Sequence, residues 1–160
     1  MMALGIAALL GTETAIAQAC PNITGTWRLV SASSRGPHEE RDDAPYGTSP
    51  SGLLIYTADG HVTAIVSSSG RPPLSVNDRI TAPVEERASA FATSFAYAGR
   101  YKFLCDRVVH DVEVATVPNW VGTQMTRKVR IVGNRLILST PPIAKGGTVS
   151  SFDLVWERQR

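Results

Sequence analysis

The chain has 160 residues, with 16 basic and 14 acidic side chains and a net charge of +2. That length fits one domain able to bury its own core, and the near balance of charge argues against an electrostatic nucleic-acid binder. The three histidines, His38, His61 and His110, lie in separate segments and show no metal-ligand spacing with the two cysteines, so no metal or other cofactor is implied.

Residues 3–10 form an apolar run too short to span a bilayer. Small residues follow it in the pattern of a cleavage site, Ala15-Ile16-Ala17 or Ala17-Gln18-Ala19. The expectation is a signal peptide over 1–19 and an exported domain, periplasmic or secreted, over 20–160, with no transmembrane segment in it. Acylation of Cys20 is the competing expectation. It is disfavoured because the third position before Cys20 lacks the usual aliphatic residue. In an oxidising compartment Cys20 and Cys105 read as one disulfide tying the N-terminal arm to a turn at 104–107, with two unpaired thiols as the alternative.

A period-2 alternation of apolar residues, broken by turn residues, runs along the rest of the chain. Residues 26–32 alternate Trp27, Leu29 and Ser31 against Arg28 and Val30, and 34–50, rich in Gly, Pro and charge, reads as a loop. Residues 53–57 and 61–67 form a hairpin around Asp59-Gly60. A helix is predicted over 83–96: Pro83 in its first turn, Glu85 and Glu86 at its positive end, a stripe of Ala88, Phe91, Ala92 and Phe95, and Gly99 to end it. Strands are expected over 100–104, 107–117, 122–132, 135–140 and 148–158, with Gly133-Asn134 as a tight turn. The fold class is all-β: an antiparallel up-and-down barrel of about eight strands with one inserted α-helix, closed by pairing its two ends.

Several segments carry a family resemblance: Gly25-Thr26-Trp27-Arg28-Leu29, Gly52-Leu53-Leu54-Ile55-Tyr56-Thr57, Tyr97-Ala98-Gly99-Arg100-Tyr101, His110-Asp111-Val112-Glu113-Val114, Pro118-Asn119-Trp120-Val121-Gly122 and Leu154-Val155-Trp156-Glu157-Arg158. In this order they resemble the lipocalin-like domain family of small bacterial and fungal single-domain proteins. The resemblance implies a lipocalin-type barrel and says little about activity.

Strand parity then assigns the barrel interior. Val108, His110, Val112 and Val114 share one face, with Asp111 and Glu113 opposite. Met125, Arg127, Val129 and Ile131 share another, which places Arg127 opposite Val112 and diagonal to His110. Tyr101 and Phe103 take the inward parity, Tyr56 follows Leu54 inward, and Phe152, Leu154 and Trp156 point in, with Arg158 over Trp27 at the barrel base. Trp120 falls on a turn at the rim.

The candidate ligand-binding set is Tyr56, Tyr101, His110, Arg127 and Trp120. A buried guanidinium needs an anionic partner, and no inward carboxylate is apparent on these strands; a ligand carboxylate, phenolate or enolate would serve. The competing readings are a hydrogen-bonded core histidine at His110 and an Arg127 that reaches water at the mouth.

No Gly-x-Ser-x-Gly elbow, phosphate-binding loop or basic-aromatic stacking surface is present. The sequence thus points to an exported barrel, a monomer or weak homodimer, binding a small apolar or amphipathic molecule, in which any charge is anionic. The alternatives are a cofactor-independent isomerase or cyclase, with His110 moving a proton, and an envelope protein whose barrel is filled.

Overall fold

The structure is a computed structural model describing residues 20–38 and 41–160. The signal segment expected over 1–19, and Glu39-Glu40 of the acidic run, lie outside the described residues.

The strands, in chain order, are β1 (Gly25–Arg35), β2 (Arg41–Asp42), β3 (Ser51–Tyr56), β4 (His61–Ser67), β5 (Ser94–Phe103), β6 (Arg107–Ala115), β7 (Gln124–Val132), β8 (Arg135–Ser139), β9 (Ile143–Lys145) and β10 (Thr148–Arg158). Setting aside the short β2 and β9, each pairs antiparallel with the next, and β10 pairs back onto β1. Eight strands thus close into a barrel with no long free edge. The one helix among the described residues, α1 (Val84–Ala92), is inserted between β4 and β5.

Closure rests on the two chain ends. Trp27 faces Arg158 and Leu29 faces Trp156 across the β1–β10 ladder. The Arg158 guanidinium stacks 4.1 Å from the Trp27 ring centre and donates to the carbonyls of Thr24 and Asn22, at 2.6 Å each. The Trp27 indole in turn donates to the Ile23 carbonyl at 2.8 Å. These contacts satisfy the polar atoms at the barrel base and leave its apolar surface to the core. Leu54, Val62, Val66, Val108, Val112, Leu136, Leu138, Phe152, Leu154 and Trp156 contribute to that core from β3, β4, β6, β8 and β10.

Four expectations are corrected. The helix over 83–96 ends at Ala92, and Ser94 to Ala98 instead extend β5, pairing Ser94 with Ser67 and Ala98 with Thr63. A full ladder with β4 outweighs the local helical stripe, which buries nothing: α1 has no buried residue and Phe91 is 56% exposed. Second, Gly99 does not end a helix. It sits inside β5 at an irregularity where Ala98 faces Val114 and Gly99 faces Val112, leaving Glu113 unpaired.

The third correction follows from that extra residue, which flips the parity of β6: Val108, His110 and Val112 are buried, whereas Val114 is 61% exposed. A similar irregularity between Leu29 and Ser31 turns Ser31 outward and brings Ala32 into the core. Fourth, Arg127 faces Val108 and His110 faces Met125. Arg127 is diagonal to His110 as expected, but not opposite Val112. The β6–β7 pairing ends where Val112 meets Thr123, so residues 113–117 on the β6 side precede the short 3-10 turn at Pro118–Trp120 and only 121–122 follow it on the β7 side.

The remaining inward assignments stand. Tyr56 is buried, Tyr101 and Arg127 are half-buried on the inner face, and Met125 and Val129 share the face of Arg127. Cys20 and Cys105 form a disulfide, Cα atoms 4.9 Å apart, between the N-terminal arm and the β5–β6 turn. No helix among the described residues is long and apolar enough to cross a membrane.

Candidate functional site

The barrel interior is not filled. A cavity of about 680 Å³ opens at the end of the barrel away from the Trp27–Arg158 closure. Its walls include Leu54, Ala64 and Val66 from β3 and β4, Phe95 and Tyr97 from β5, Met125 and Arg127 from β7, and Phe152, Leu154 and Trp156 from β10. Phe91 and Ala92 of α1 and Trp120 of the 3-10 turn line it as well. An apolar chamber of this size with a few convergent polar groups has the build of a small-molecule site.

Aromatic rings form one side of it. Trp120 meets Phe95 edge-on with centroids 5.5 Å apart and Tyr97 at 6.2 Å. Tyr46, from the loop before β3, lies 6.2 Å from both Phe95 and Phe152. Such tilted and T-shaped arrangements add to the area the rings bury.

Beneath this wall runs a hydrogen-bonded chain. Tyr97 Oη lies 2.8 Å from His110 Nδ1, and Tyr56 Oη lies 2.7 Å from His110 Nε2. Tyr97 borders the cavity; His110 and Tyr56 do not line it. Tyr101 does not line it either. It packs on Tyr56 at 4.7 Å and donates its hydroxyl to the Thr57 carbonyl at 3.0 Å, tying β5 to the β3–β4 turn.

His110 has no exposed surface. Burial, reinforced by the charge of Arg127, lowers its pKa from 6.5 to about 3, so the ring is neutral. A neutral imidazole carries one N–H and one lone pair, hence one tyrosine donates to it and the other accepts from it. Burial raises the phenols of Tyr46, Tyr56 and Tyr97, partly offset in each by the charge of Arg127.

A depressed folded pKa fixes the sign of a pH effect. The unfolded chain binds a proton at His110 as pH falls below about 6.5, and the folded protein does so only near 3. This residue's contribution is fully present above pH 6.5 and drains away on acidification, by roughly 1.4 kcal/mol per pH unit across that interval. Urea unfolding of the native protein and His110→Gln between pH 7 and 4 should show the native protein losing stability more steeply; parallel curves would refute the assignment.

Arg127 supplies the charge. Its guanidinium reaches the Thr126 carbonyl at 3.0 Å and the Met125 sulfur at 3.4 Å, both uncharged. Among the described residues, no carboxylate lies within ion-pair distance of it. Trp156 adds an unmatched donor: its indole nitrogen is the one buried side-chain polar atom without a hydrogen-bond partner among the described residues.

Of the five residues singled out from the sequence, the cavity brings Arg127 and Trp120 together on its wall, while Tyr56, Tyr101 and His110 lie outside its lining. Tyr97, Phe95 and Tyr46 were missed as wall residues. The signal for the first two was present: Phe95, Tyr97, Gly99, Tyr101 and Phe103 alternate at the period of a strand, which the shorter helical stripe masked. Tyr46 sits in a polar loop and carries no periodic signal.

Comparison with known proteins fits this architecture. The chain is 34% identical over 107 residues, 61% of its own length and 96% of the relative's, to the 4'-hydroxy-3'-methoxypropiophenone carrier protein ppsC of Aspergillus oryzae. A lipocalin-like domain profile matches residues 24–159, nearly the whole of the described barrel. The protein belongs to the lipocalin-like domain family.

Proposed function

We propose that this protein is an exported carrier that binds a small, mostly apolar molecule in the barrel cavity and anchors its one polar end at Arg127. The observation that carries the reading is a cation on the wall of an apolar chamber with no carboxylate beside it among the described residues. A half-buried guanidinium without a counter-charge gains most from a ligand oxygen it can grip. The name of the relative supports an aromatic ligand bearing oxygen groups, and the aromatic wall of Tyr46, Phe95, Tyr97 and Trp120 suits a flat ring. The Cys20–Cys105 disulfide supports export to an oxidising compartment.

Carriage is favoured over catalysis by the position of His110. Both its ring nitrogens are engaged by tyrosines, and it does not line the cavity. A direct proton transfer between His110 and a bound molecule has no path here.

The test is a titration of tryptophan fluorescence with 4'-hydroxypropiophenone, since Trp120 and Trp156 line the cavity. Saturable quenching is expected, and Arg127→Met should weaken binding by about 10- to 100-fold, the worth of one charge-assisted hydrogen bond. The same substitution should leave stability unchanged or raised, because no ion pair is broken. Equal affinity in the variant, or no binding by the native protein, would overturn the proposal.

A further inference from the structure

The chain of hydrogen bonds under the cavity can run in two directions, and the direction decides what Tyr97 offers a ligand. When Tyr97 donates to His110 Nδ1, His110 Nε2–H donates to Tyr56 and the cavity sees only an oxygen lone pair on Tyr97. When Tyr56 donates to Nε2, His110 Nδ1–H donates to Tyr97, and the Tyr97 O–H is released toward the cavity. Both arrangements satisfy the 2.7 and 2.8 Å contacts equally, because a neutral imidazole exists as two tautomers.

We propose that the cavity binds a phenol as its phenolate anion, with Arg127 as the counter-charge and the Tyr56–His110–Tyr97 chain turned so that Tyr97 donates to the same oxygen. This rests on the carrier reading above and specifies the ligand's chemical class. Without a ligand, the charge of Arg127 acts on Tyr97 and favours the direction in which Tyr97 turns a lone pair to the cation and itself donates to His110. An anionic oxygen beside Arg127 reverses that preference. Three donors then point the same way, and aligned hydrogen bonds polarise one another.

Among the described residues, the groups facing Arg127 supply no counter-charge. They are Tyr46 from the loop before β3, Tyr56 from β3, Tyr97 from β5 and His110 from β6. Burial raises all three phenols and keeps the imidazole neutral, so none supplies a negative charge and none adds a second cation. The charge balance of the step is simple. The ligand's O–H bond breaks heterolytically, its electron pair stays on oxygen, and the proton leaves to bulk water. A cation a few ångströms away lowers the pKa of such a group by about 1–3 units. Phenols already more acidic than the ~10 of an unsubstituted ring, such as those with a carbonyl conjugated across it, are ionised most readily.

The experiment uses the native protein and two probes, 4'-hydroxypropiophenone and its methyl ether, which cannot ionise. Absorption spectra of the bound phenol are recorded about one pH unit below its free pKa, alongside fluorescence titrations of both probes. The phenolate band is expected to predominate on the protein, corresponding to a drop in the ligand's pKa of about two units. The methyl ether is expected to bind about tenfold more weakly at that pH, the gain a two-unit drop gives the phenol there. Nitrogen-15 spectra of His110 should move from the Nε2–H to the Nδ1–H tautomer on adding the phenol. A bound phenol that keeps its neutral spectrum, with the ether binding equally well, refutes the inference while leaving the carrier reading intact. Failure of both probes to bind refutes both. Tyr97→Phe should bind the phenol with the phenolate band diminished; an unchanged band would refute the role of the chain.

Discussion

Gly99→Ala is expected to destabilise the protein by at least about 3 kcal/mol, at the upper end of what overpacking a well-ordered interior costs. Gly99 is buried in the middle of β5, where β5 and β6 slip by one residue and Glu113 is left unpaired. A Cβ there would be driven into the carbonyl oxygen of Asp111 and would stand 2.9 Å from the amide nitrogen of Glu113. Both obstacles are backbone atoms of a paired strand, so no side-chain rotation relieves them, and the two strands must part. The parting would displace Tyr97 and His110, which bracket the irregularity on opposite strands.

The control is Gly70→Ala. That position has φ +70° but nothing within 4 Å of the new carbon, so only the left-handed backbone penalty of about 1–2 kcal/mol applies. Denaturant unfolding of the two variants should separate a clash from a conformational preference. Equal losses would show that the close approach of β5 to β6 has no energetic consequence.

Removing the disulfide is the second large effect. Cys20 and Cys105 are 85 residues apart, and linking them removes loop-closure freedom from the unfolded chain worth roughly 4–5 kcal/mol in the chain-entropy picture. The covalent link also holds the N-terminal arm whose carbonyls at Asn22, Ile23 and Thr24 receive Arg158 and Trp27. Paired Cys20→Ser and Cys105→Ser substitutions should therefore lower the melting temperature by about 10–20 °C, given the usual few degrees per kcal/mol for a domain of this size. The cavity lies at the opposite end of the barrel, so ligand affinity at a temperature well below melting should change less than twofold. A variant that melts normally would show the arm to be held by the Arg158 and Trp27 hydrogen bonds alone. One that melts early and also loses affinity would show that the base and the cavity are not independent.

Much of the barrel was legible in the chain. Period-2 alternation locates seven of the eight closing strands to within a few residues, because a strand with one face in the core and one in water records that geometry in each successive side chain. The Gly-x-Trp at one end and Trp156-Glu157-Arg158 at the other marked the closure, since a stacked Trp–Arg pair needs those residue types whatever surrounds it. The inward direction of Arg127 followed from parity alone, as Thr126 and Lys128 on either side of it prefer water.

Tertiary structure decided the rest, and for one physical reason: pairing is a property of two strands, whereas periodicity is a property of one. Ser94 to Ala98 read as the end of a helix because Ala92 and Phe95 continue its stripe, but the ladder to β4 offers them hydrogen bonds and burial that a one-sided helix lacks. Glu113 is unpaired only because β5 and β6 slip beside Gly99, and that slip turns Val114 outward. The register of β7 on β6 depended on how the 3-10 turn shares its residues between them, which set Arg127 against Val108. The site inherits each of these. Residue alternation and the Trp and Arg at the two ends are enough to call for a barrel, for the meeting of its ends, and for one inward arginine. Only the packed structure decided that Tyr97 rather than Tyr101 borders the cavity, and that His110 lies beneath it between two phenols, because both depend on how eight strands align with one another.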